Sequence, residues 1–148
     1  MKKIAVLLSI VMIVSFASVS FANELIVQDK FFVNIAILDS DGKIYDARRW
    51  TMGSYNLKGI VYDHAHKHIG FVEVEDNVSV VKDIHYKVMA RVAETGEIVD
   101  IDGNVIGLIK NTKVTDKDGK VLYRLSGEKV QKGLLVYLFF FTNTFGSN

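Results

Sequence analysis

The sequence contains no cysteine, which excludes disulfide bonds, thiolate metal sites and a cysteine nucleophile. It contains no proline either, and because proline removes a backbone donor, this absence is compatible with hydrogen-bonded strands along most of the chain. Packing and backbone hydrogen bonds must therefore supply the stability. For an exported protein, the lack of cysteine is more typical of a bacterial envelope than of disulfide-rich eukaryotic secretion.

There is also no surplus of positive charge. The 148 residues carry a net charge of +1, and removal of residues 1–22, with two lysines and no acidic residue, leaves sixteen basic and seventeen acidic side chains. The overall charge therefore predicts no attraction to nucleic acid or to anionic lipid. The hydrophobic content of 49% is high enough to build the core of one folded domain.

Residues 1–22 have the pattern of a secretory signal peptide. Two lysines precede an apolar run over residues 4–14, and small residues follow up to Ala22. The apolar run is shorter than the roughly 20 residues that a membrane anchor needs. We expect cleavage before Asn23, which leaves residues 23–148 as a single periplasmic or secreted domain.

A short hairpin unit repeats along this domain, most clearly in residues 96–109. There, two β-branched or apolar runs flank the turn Asp100-Ile101-Asp102-Gly103. The same offsets recur at four further aspartates: Asp46, Asp63, Asp83 and Asp116. Successive aspartates are 17, 20, 17 and 16 residues apart, which predicts five hairpin repeats. Asp29 lies 17 residues before Asp46 and leaves a sixth copy open.

Three positions of the unit are apolar in all five copies and are predicted to face the core. Two residues before the aspartate come Ile44, Val61, Val81, Ile98 and Val114. Six residues after it come Met52, Ile69, Met89, Ile106 and Leu122, and nine after it Tyr55, Val72, Val92, Ile109 and Leu125. Seven residues after it come Gly53, Gly70, Ala90, Gly107 and Tyr123. Four of these five are small, which predicts a close approach of backbones near a shared axis.

No unit this short can bury its own apolar face, so neighbouring units must stack. Residues 133–143, Gly-Leu-Leu-Val-Tyr-Leu-Phe-Phe-Phe-Thr-Asn, show no polar alternation and predict a strand, buried on both faces, that seals the array. Their apolar run, residues 134–141, is too short to span a membrane. The predicted fold class is all-β, with five or six β-hairpin repeats closed around a pseudo-rotation axis in a barrel- or propeller-like ring.

The Asp-x-x-Gly hairpin repeat with its trailing Ile-Gly, the export signal and the closing apolar run together resemble the β-flower family. These are small exported proteins of Bacteroidetes-type bacteria built from five hairpins around a pseudo-fivefold axis. The resemblance covers residues 42–141 and is best in residues 96–109 and 61–72. It implies the fold, but no catalytic residues, because the family has no established activity.

His64, His66 and His68 alternate along the chain. On a strand, this spacing would place three imidazoles on one face, in an arrangement suited to zinc, nickel or copper. The alternative is a set of solvated histidines, because in the repeat these residues straddle a hairpin tip. The Asp-x-Asp-Gly turns resemble the start of a calcium loop but lack its glutamate and its flanking helices, and are interpreted as structural turns. No cofactor is predicted.

The turns of copies one to three differ from the plain turns of copies four and five. Their residues are cationic and aromatic, and turns that share a rotation axis would bring them together at one end of the molecule. The predicted cluster consists of Arg48, Arg49, Trp50, His64, His66, His85 and Tyr86. Such a set suits an anionic or sugar-like ligand, or a protein partner, through arginine hydrogen bonds and aromatic stacking. The alternative is unconstrained drift of turn sequences.

None of the common catalytic motifs is present: no nucleophile elbow, phosphate-binding loop, zinc-protease helix or dinucleotide-binding turn. We therefore predict a non-enzymatic structural or interaction protein of the bacterial envelope, with an unknown protein or glycan partner and no nucleic acid. The alternative is a ligand- or metal-binding module that uses the turn cluster around Arg48, Trp50, His64 and His66.

Overall fold

A computed structural model describes residues 23–145. The predicted signal peptide, residues 1–22, lies outside the described residues. Within the described part, twelve strands are followed by one helix, α1, at Gln131–Phe140. The strands are β1 Glu24–Gln28, β2 Asn34–Asp39, β3 Lys43–Asp46, β4 Thr51–Tyr55, β5 Ile60–Asp63, β6 His68–Glu75, β7 Val78–Asp83, β8 Val88–Val92, β9 Glu97–Asp100, β10 Val105–Lys110, β11 Lys113–Asp116 and β12 Val121–Gly127.

Every strand pairs antiparallel with the next along the chain, and β12 pairs with β1, so the sheet is a closed barrel. At the closure, Val27 lies opposite Leu125 and Leu25 opposite Gly127. Closure leaves each of the twelve strands paired on both sides, which removes exposed edges. The predicted all-β class and the predicted ring closure are confirmed.

Six turns share one geometry, which we call the Asp turn. In each, one carboxylate oxygen of the aspartate accepts the backbone N–H groups of the second and fourth residues that follow, at 2.8–3.0 Å. The aspartates are Asp29, Asp46, Asp63, Asp83, Asp100 and Asp116. Because strands run alternately up and down, all six turns lie at one end of the barrel, the tip end. Asp29 therefore begins a true sixth copy, the alternative that the sequence left open.

The inner wall of the barrel follows the predicted periodicity. The residue two before each turn aspartate has no exposed surface: Val27, Ile44, Val61, Val81, Ile98 and Val114 are each 0% exposed. The apolar residues six and nine positions after the aspartates are buried or partly buried, and most of them pack against this core. Alternation with period two therefore points one face of every hairpin into the barrel.

Residues 131–140 form a helix inside the barrel, so the predicted sealing strand at residues 133–143 is wrong. Leu134 to Phe139 are at most 5% exposed, as expected of a helix that is apolar all round. A short apolar run does not by itself distinguish a buried strand from a buried helix. Since β1 and β12 already pair, no edge is open to another strand. A segment in the lumen must satisfy its own backbone groups, and a helix does so.

Helix α1 starts at the end opposite the Asp turns, the base, where β12 finishes at Gly127. Its ten residues extend about 15 Å toward the tip end. Within residues 23–145, no helix has the length and apolar character to cross a membrane.

The aromatic rings that end this segment pack against the small residues of the wall. An added Cβ at Gly53, Gly70 or Gly107 would collide with the rings of Phe141, Phe140 and Phe145, respectively. The small residues thus make room for rings from the C-terminal segment. The predicted close approach of backbones is also present, because an added Cβ would meet a carbonyl oxygen of the neighbouring strand at each of the three glycines. The approach is between neighbouring strands of the wall, and the axis itself is filled by helix α1. Tyr123 is the one large residue at this position of the repeat. Its hydroxyl lies 2.5 Å from that of Thr144.

We expect Gly70→Ala to reduce the free energy of unfolding by about 2 kcal/mol, because overpacking a filled core displaces side chains or backbone. The new Cβ would lie 2.5 Å from Cζ of Phe140 and 2.7 Å from the carbonyl oxygen of Lys82. Urea unfolding followed by far-ultraviolet circular dichroism measures the loss. Gly103→Ala measures the cost of backbone strain without any collision, because its Cβ would meet nothing within 4 Å while its backbone is left-handed, with φ of 85°. Phe140→Ala should recover part of the Gly70→Ala loss, and strictly additive losses would contradict the ring contact.

Candidate functional site

Each Asp turn presents a four-residue exposed loop at the tip end. In every loop the third residue after the aspartate has a left-handed backbone: Phe32, Arg49, His66, Tyr86, Gly103 and Gly119 have φ values of 65°, 62°, 59°, 61°, 85° and 80°. The last two loops use glycine there, whereas the first four use bulky residues. These four loops, residues 30–33, 47–50, 64–67 and 84–87, belong to consecutive hairpins, and we call them the tip arc.

A side chain in this left-handed conformation is disfavoured by about 1–2 kcal/mol, so each bulky residue needs compensation. Three of them turn back onto the outer wall of the barrel. The ring of Tyr86 stacks on Phe71, with 4.2 Å between centroids. The ring of Phe32 lies 4.3 Å from the guanidinium carbon of Arg124. These contacts offset part of the backbone strain in the tip arc.

Arg49 makes the third such contact, because its two terminal nitrogens each lie 3.1 Å from a carboxylate oxygen of Glu24. The hydrogen bond and the charge of Glu24 raise the pKa of Arg49. Both side chains remain partly solvated, so the pair mainly positions the arginine along the wall. Of the predicted binding residues, Arg49 and Tyr86 thus have partners within the molecule.

The other predicted binding residues point outward from separate loops of the tip arc. Arg48 and Trp50 lie on one loop, His64 and His66 on the next, and His85 on the fourth, and all are exposed. Trp50 is 73% exposed. The structure therefore brings the predicted cluster to one end of the barrel, as consecutive protrusions around a rim.

His68 stands apart from the other two histidines of the alternating set. It begins β6, where its Nε2 lies 3.1 Å from the carbonyl oxygen of Gly70 and its ring meets Phe71 edge-on at 4.4 Å between centroids. Across residues 23–145, no three histidine, aspartate or glutamate side chains are grouped closely enough to hold a metal ion. The structure does not assemble His64, His66 and His68 into a three-ligand site.

Backbone hydrogen bonds favour the ionised carboxylate in two of the Asp turns. At Asp63, the hydrogen bond from the backbone N–H of Lys67, with that from Ala65, lowers the pKa and outweighs the opposing effect of desolvation. At Asp100, the backbone N–H of Asn104 has the largest effect and likewise lowers the pKa. The loops of the rim are thus fixed by charge-assisted hydrogen bonds at their base.

The fold fits one family of known proteins. The chain matches the model of the 5-fold beta-flower protein family over residues 28–141, which include all six Asp turns and helix α1. The chain belongs to the β-flower family. The resemblance inferred from the hairpin repeat is confirmed. No curated protein and no solved structure matches the chain significantly.

One part of the rim of this β-flower protein was missed by sequence reasoning. Phe31, Phe32 and Val33 form the loop of the Asp29 turn and are 72%, 64% and 57% exposed. The sequence signal was present, because Lys-Phe-Phe-Val occupies the loop positions after Asp29. This loop departs from the Asp-x-x-Gly pattern of the repeat, which is why the repeat alone does not reveal it.

The base of this β-flower protein carries a cleft of about 180 Å³ between the start of α1 and the wall. Its lining includes the apolar residues Leu25, Ile109, Leu125 and Leu134 and the charged residues Glu94 and Lys129. None of the predicted site residues lines it. The cleft and the tip arc are therefore separate surfaces at opposite ends of the barrel.

Asp63→Asn should lower the thermal unfolding midpoint at neutral pH, because the amide keeps an acceptor oxygen but loses the charge. A lowered folded-state pKa means that the carboxylate stabilises the fold above the unfolded value of about 3.9. That stabilisation disappears as the pH falls through the folded-state pKa. The midpoints of wild type and variant should therefore converge in acid, measured by thermal unfolding from pH 7 downward. Asp102→Asn, in an exposed loop, is the control, and a pH-independent gap for Asp63→Asn would contradict the interpretation.

Proposed function

We propose that this β-flower protein is an exported, non-enzymatic interaction protein of the bacterial envelope that presents its tip arc to a protein or glycan partner. Export is supported by the signal-peptide pattern of residues 1–22. For an exported chain, the lack of cysteine is more typical of a bacterial envelope than of disulfide-rich eukaryotic secretion. A closed barrel filled by a helix supplies a rigid support, and binding residues in proteins are commonly carried by loops on such a scaffold.

The observation that carries the proposal is the asymmetry of the rim. Four consecutive loops hold bulky residues in the left-handed conformation, where the other two hold glycine. The tip-arc loops contain the cations Lys30, Arg48, Arg49, Lys67 and Lys87 and no acidic residue, whereas the other two loops contain Asp102 and Asp118. A strained backbone conformation that is kept by a bulky residue, where glycine would remove the strain, is a feature of functional surfaces. Turn drift alone does not account for one charge sign and four consecutive strained positions.

Arg48 and Trp50 form the centre of the proposed binding surface. They lie on the same loop, exposed, and their residue types dominate the energetics of many interfaces. The guanidinium can bind a carboxylate or phosphate through two parallel hydrogen bonds, and the indole can stack on a sugar ring or an apolar side chain. His66 and His85 extend the surface along the arc.

The full chain is expressed and recovered from the periplasm, and its mass reports whether it begins at Asn23. The test then compares two triple variants of this recovered protein. Binding to isolated peptidoglycan, envelope polysaccharide and envelope protein fractions is measured by co-sedimentation. We expect Arg48→Ala with Trp50→Ala and His66→Gly to weaken binding about tenfold or more, since hot-spot residues each contribute over 1 kcal/mol. The matched control, Ile101→Ala with Lys117→Ala and Lys120→Ala, alters the plain loops and should leave binding unchanged. Equal binding by both variants would overturn the proposal.

A ligand- or metal-binding module is the second candidate, favoured by His64 and His66, which lie exposed two residues apart on one loop. Zinc, nickel or copper bound only by the folded state must raise the unfolding midpoint by mass action. This candidate predicts a rise, relative to EDTA, that is lost in His64→Asn with His66→Asn. The rise should survive in His68→Asn, whose ring packs on the wall. No rise with any of the three metals removes the candidate.

A further inference from the structure

Exposed apolar side chains are concentrated at the tip end. Of the ten large apolar side chains exposed within residues 23–145, eight lie in or beside the Asp-turn loops. The other two, Leu57 and Val74, lie toward the base. Phe31, Phe32 and Val33 are consecutive, and an exposed run of three apolar residues in a polar loop is unfavourable unless something covers it.

Trp50 lies on the hairpin next to this run, because β1–β2 and β3–β4 are neighbours in the barrel. It is as exposed as Phe31, at 73% against 72%. The two neighbouring loops place exposed apolar side chains at one side of the rim, and we call this pair of loops the apolar protrusion. Cations flank it: the ammonium of Lys30 lies 5.0 Å from the centre of the Phe31 ring, and Arg48 precedes Trp50 on the second loop.

We propose that the loops of residues 30–33 and 47–50 dock on the surface of an anionic phospholipid bilayer. Phe31, Val33 and Trp50 enter the interfacial region, where aromatic side chains are favoured. Lys30 and Arg48 remain at the level of the headgroups and pair with phosphates, as long cationic side chains do at an interface.

The chemistry of the protrusion fits a lipid surface, which is a separate ligand from the protein or glycan partner proposed for the whole tip arc. Phenylalanine and valine have no polar atom with which to orient a sugar, and a glycan site would need such atoms around the stacking ring. The side chains stand on the tips of two loops, which fit a deformable plane better than a shaped groove. No acidic residue occurs in either loop, so anionic headgroups meet only cations and apolar groups first.

The near-zero net charge of the domain predicted no attraction to anionic lipid. That net charge is a sum over the whole surface, on which positive and negative side chains are unevenly distributed. All five exposed cations of the tip arc lie on its loops, while the turn aspartates lie behind them, partly buried and engaged by backbone N–H groups. Because charges are screened within about 10 Å, a surface responds to the layer it touches. For contact with a membrane, the cations at the loop surface therefore matter more than the net charge of the domain.

This inference goes beyond the proposed function and does not need its protein or glycan partner. Only the identity of the membrane that the protein meets rests on the proposed export. Binding to purified lipid is measured in the absence of any envelope protein or glycan, so either proposal can fail while the other stands.

The experiment uses residues 23–148, because the apolar run of residues 4–14 would itself bind lipid. This chain contains all core residues of the part that the structure describes, from Leu25 to Phe145. Trp50 is the only tryptophan, so its fluorescence reports on the proposed contact alone. Vesicles of phosphatidylcholine, with and without phosphatidylglycerol, are titrated in, and co-sedimentation measures the bound fraction. We expect a blue shift of Trp50 emission and tighter binding to the vesicles that contain phosphatidylglycerol.

Three variants locate the contact. Phe31→Ser with Phe32→Gly should weaken vesicle binding about tenfold or more, and the glycine suits the left-handed backbone at Phe32. Lys30→Gln with Arg48→Gln should remove the preference for phosphatidylglycerol. Leu57→Ser, which alters a fully exposed apolar residue away from the tip end, is the matched control and should bind as wild type. Circular dichroism confirms that each variant is folded.

Four results would overturn the inference: no shift and no sedimentation with either vesicle, unchanged binding by the Phe31→Ser, Phe32→Gly variant, equal loss in Leu57→Ser, or a Trp50 shift with envelope glycan but not with vesicles. Concentration-dependent dimerisation that the phenylalanine variant abolishes, without vesicle binding, would assign the loops to a second copy of the chain instead.

Discussion

The pairing of β1 with β12 is the constraint on which the rest of the structure depends. Once these strands pair, every strand has two neighbours, and the lumen offers no edge to which further chain could add. The apolar segment that follows β12 must then be covered by the inner wall and must satisfy its backbone internally. A helix meets both requirements, and the alternation along every strand supplies the apolar lining that receives it.

The Asp turn explains how one end of this barrel can vary while the wall stays constant. The carboxylate accepts hydrogen bonds from two backbone N–H groups and fixes the path of the loop. The side chains of the loop are therefore not needed to form the turn. Even the left-handed position, where glycine is the easy choice, admits Phe32, Arg49, His66 and Tyr86. Contacts with the outer wall, such as Tyr86 on Phe71, hold these residues in place.

The repeat of aspartates and β-branched residues was enough to predict the hairpins, the inward positions and the common end of the turns, because these depend on local geometry. The state of residues 131–140 could not be predicted in the same way. An apolar run without alternation is equally compatible with a buried strand and a buried helix, and the choice depends on a strand pairing nearly a domain length away. The cluster around Arg48 and Trp50 followed from the shared axis. The sequence could not predict the partners of Arg49 and Tyr86, because these partners lie on the outer wall of the barrel. Nor could it predict the role of Phe31, which depends on the neighbouring hairpin.

The path of helix α1 also limits the order in which the chain can fold. The first strand and the last strand close the ring, and the helix that fills the ring follows the last strand. The filled barrel can therefore form only when residues 131–140 lie between the hairpins. Hairpins can form early from local contacts, but the decisive contacts join distant parts of the sequence, and such contacts form slowly. A chain of this design therefore ties the closing of its ring to the burial of the helix that fills it.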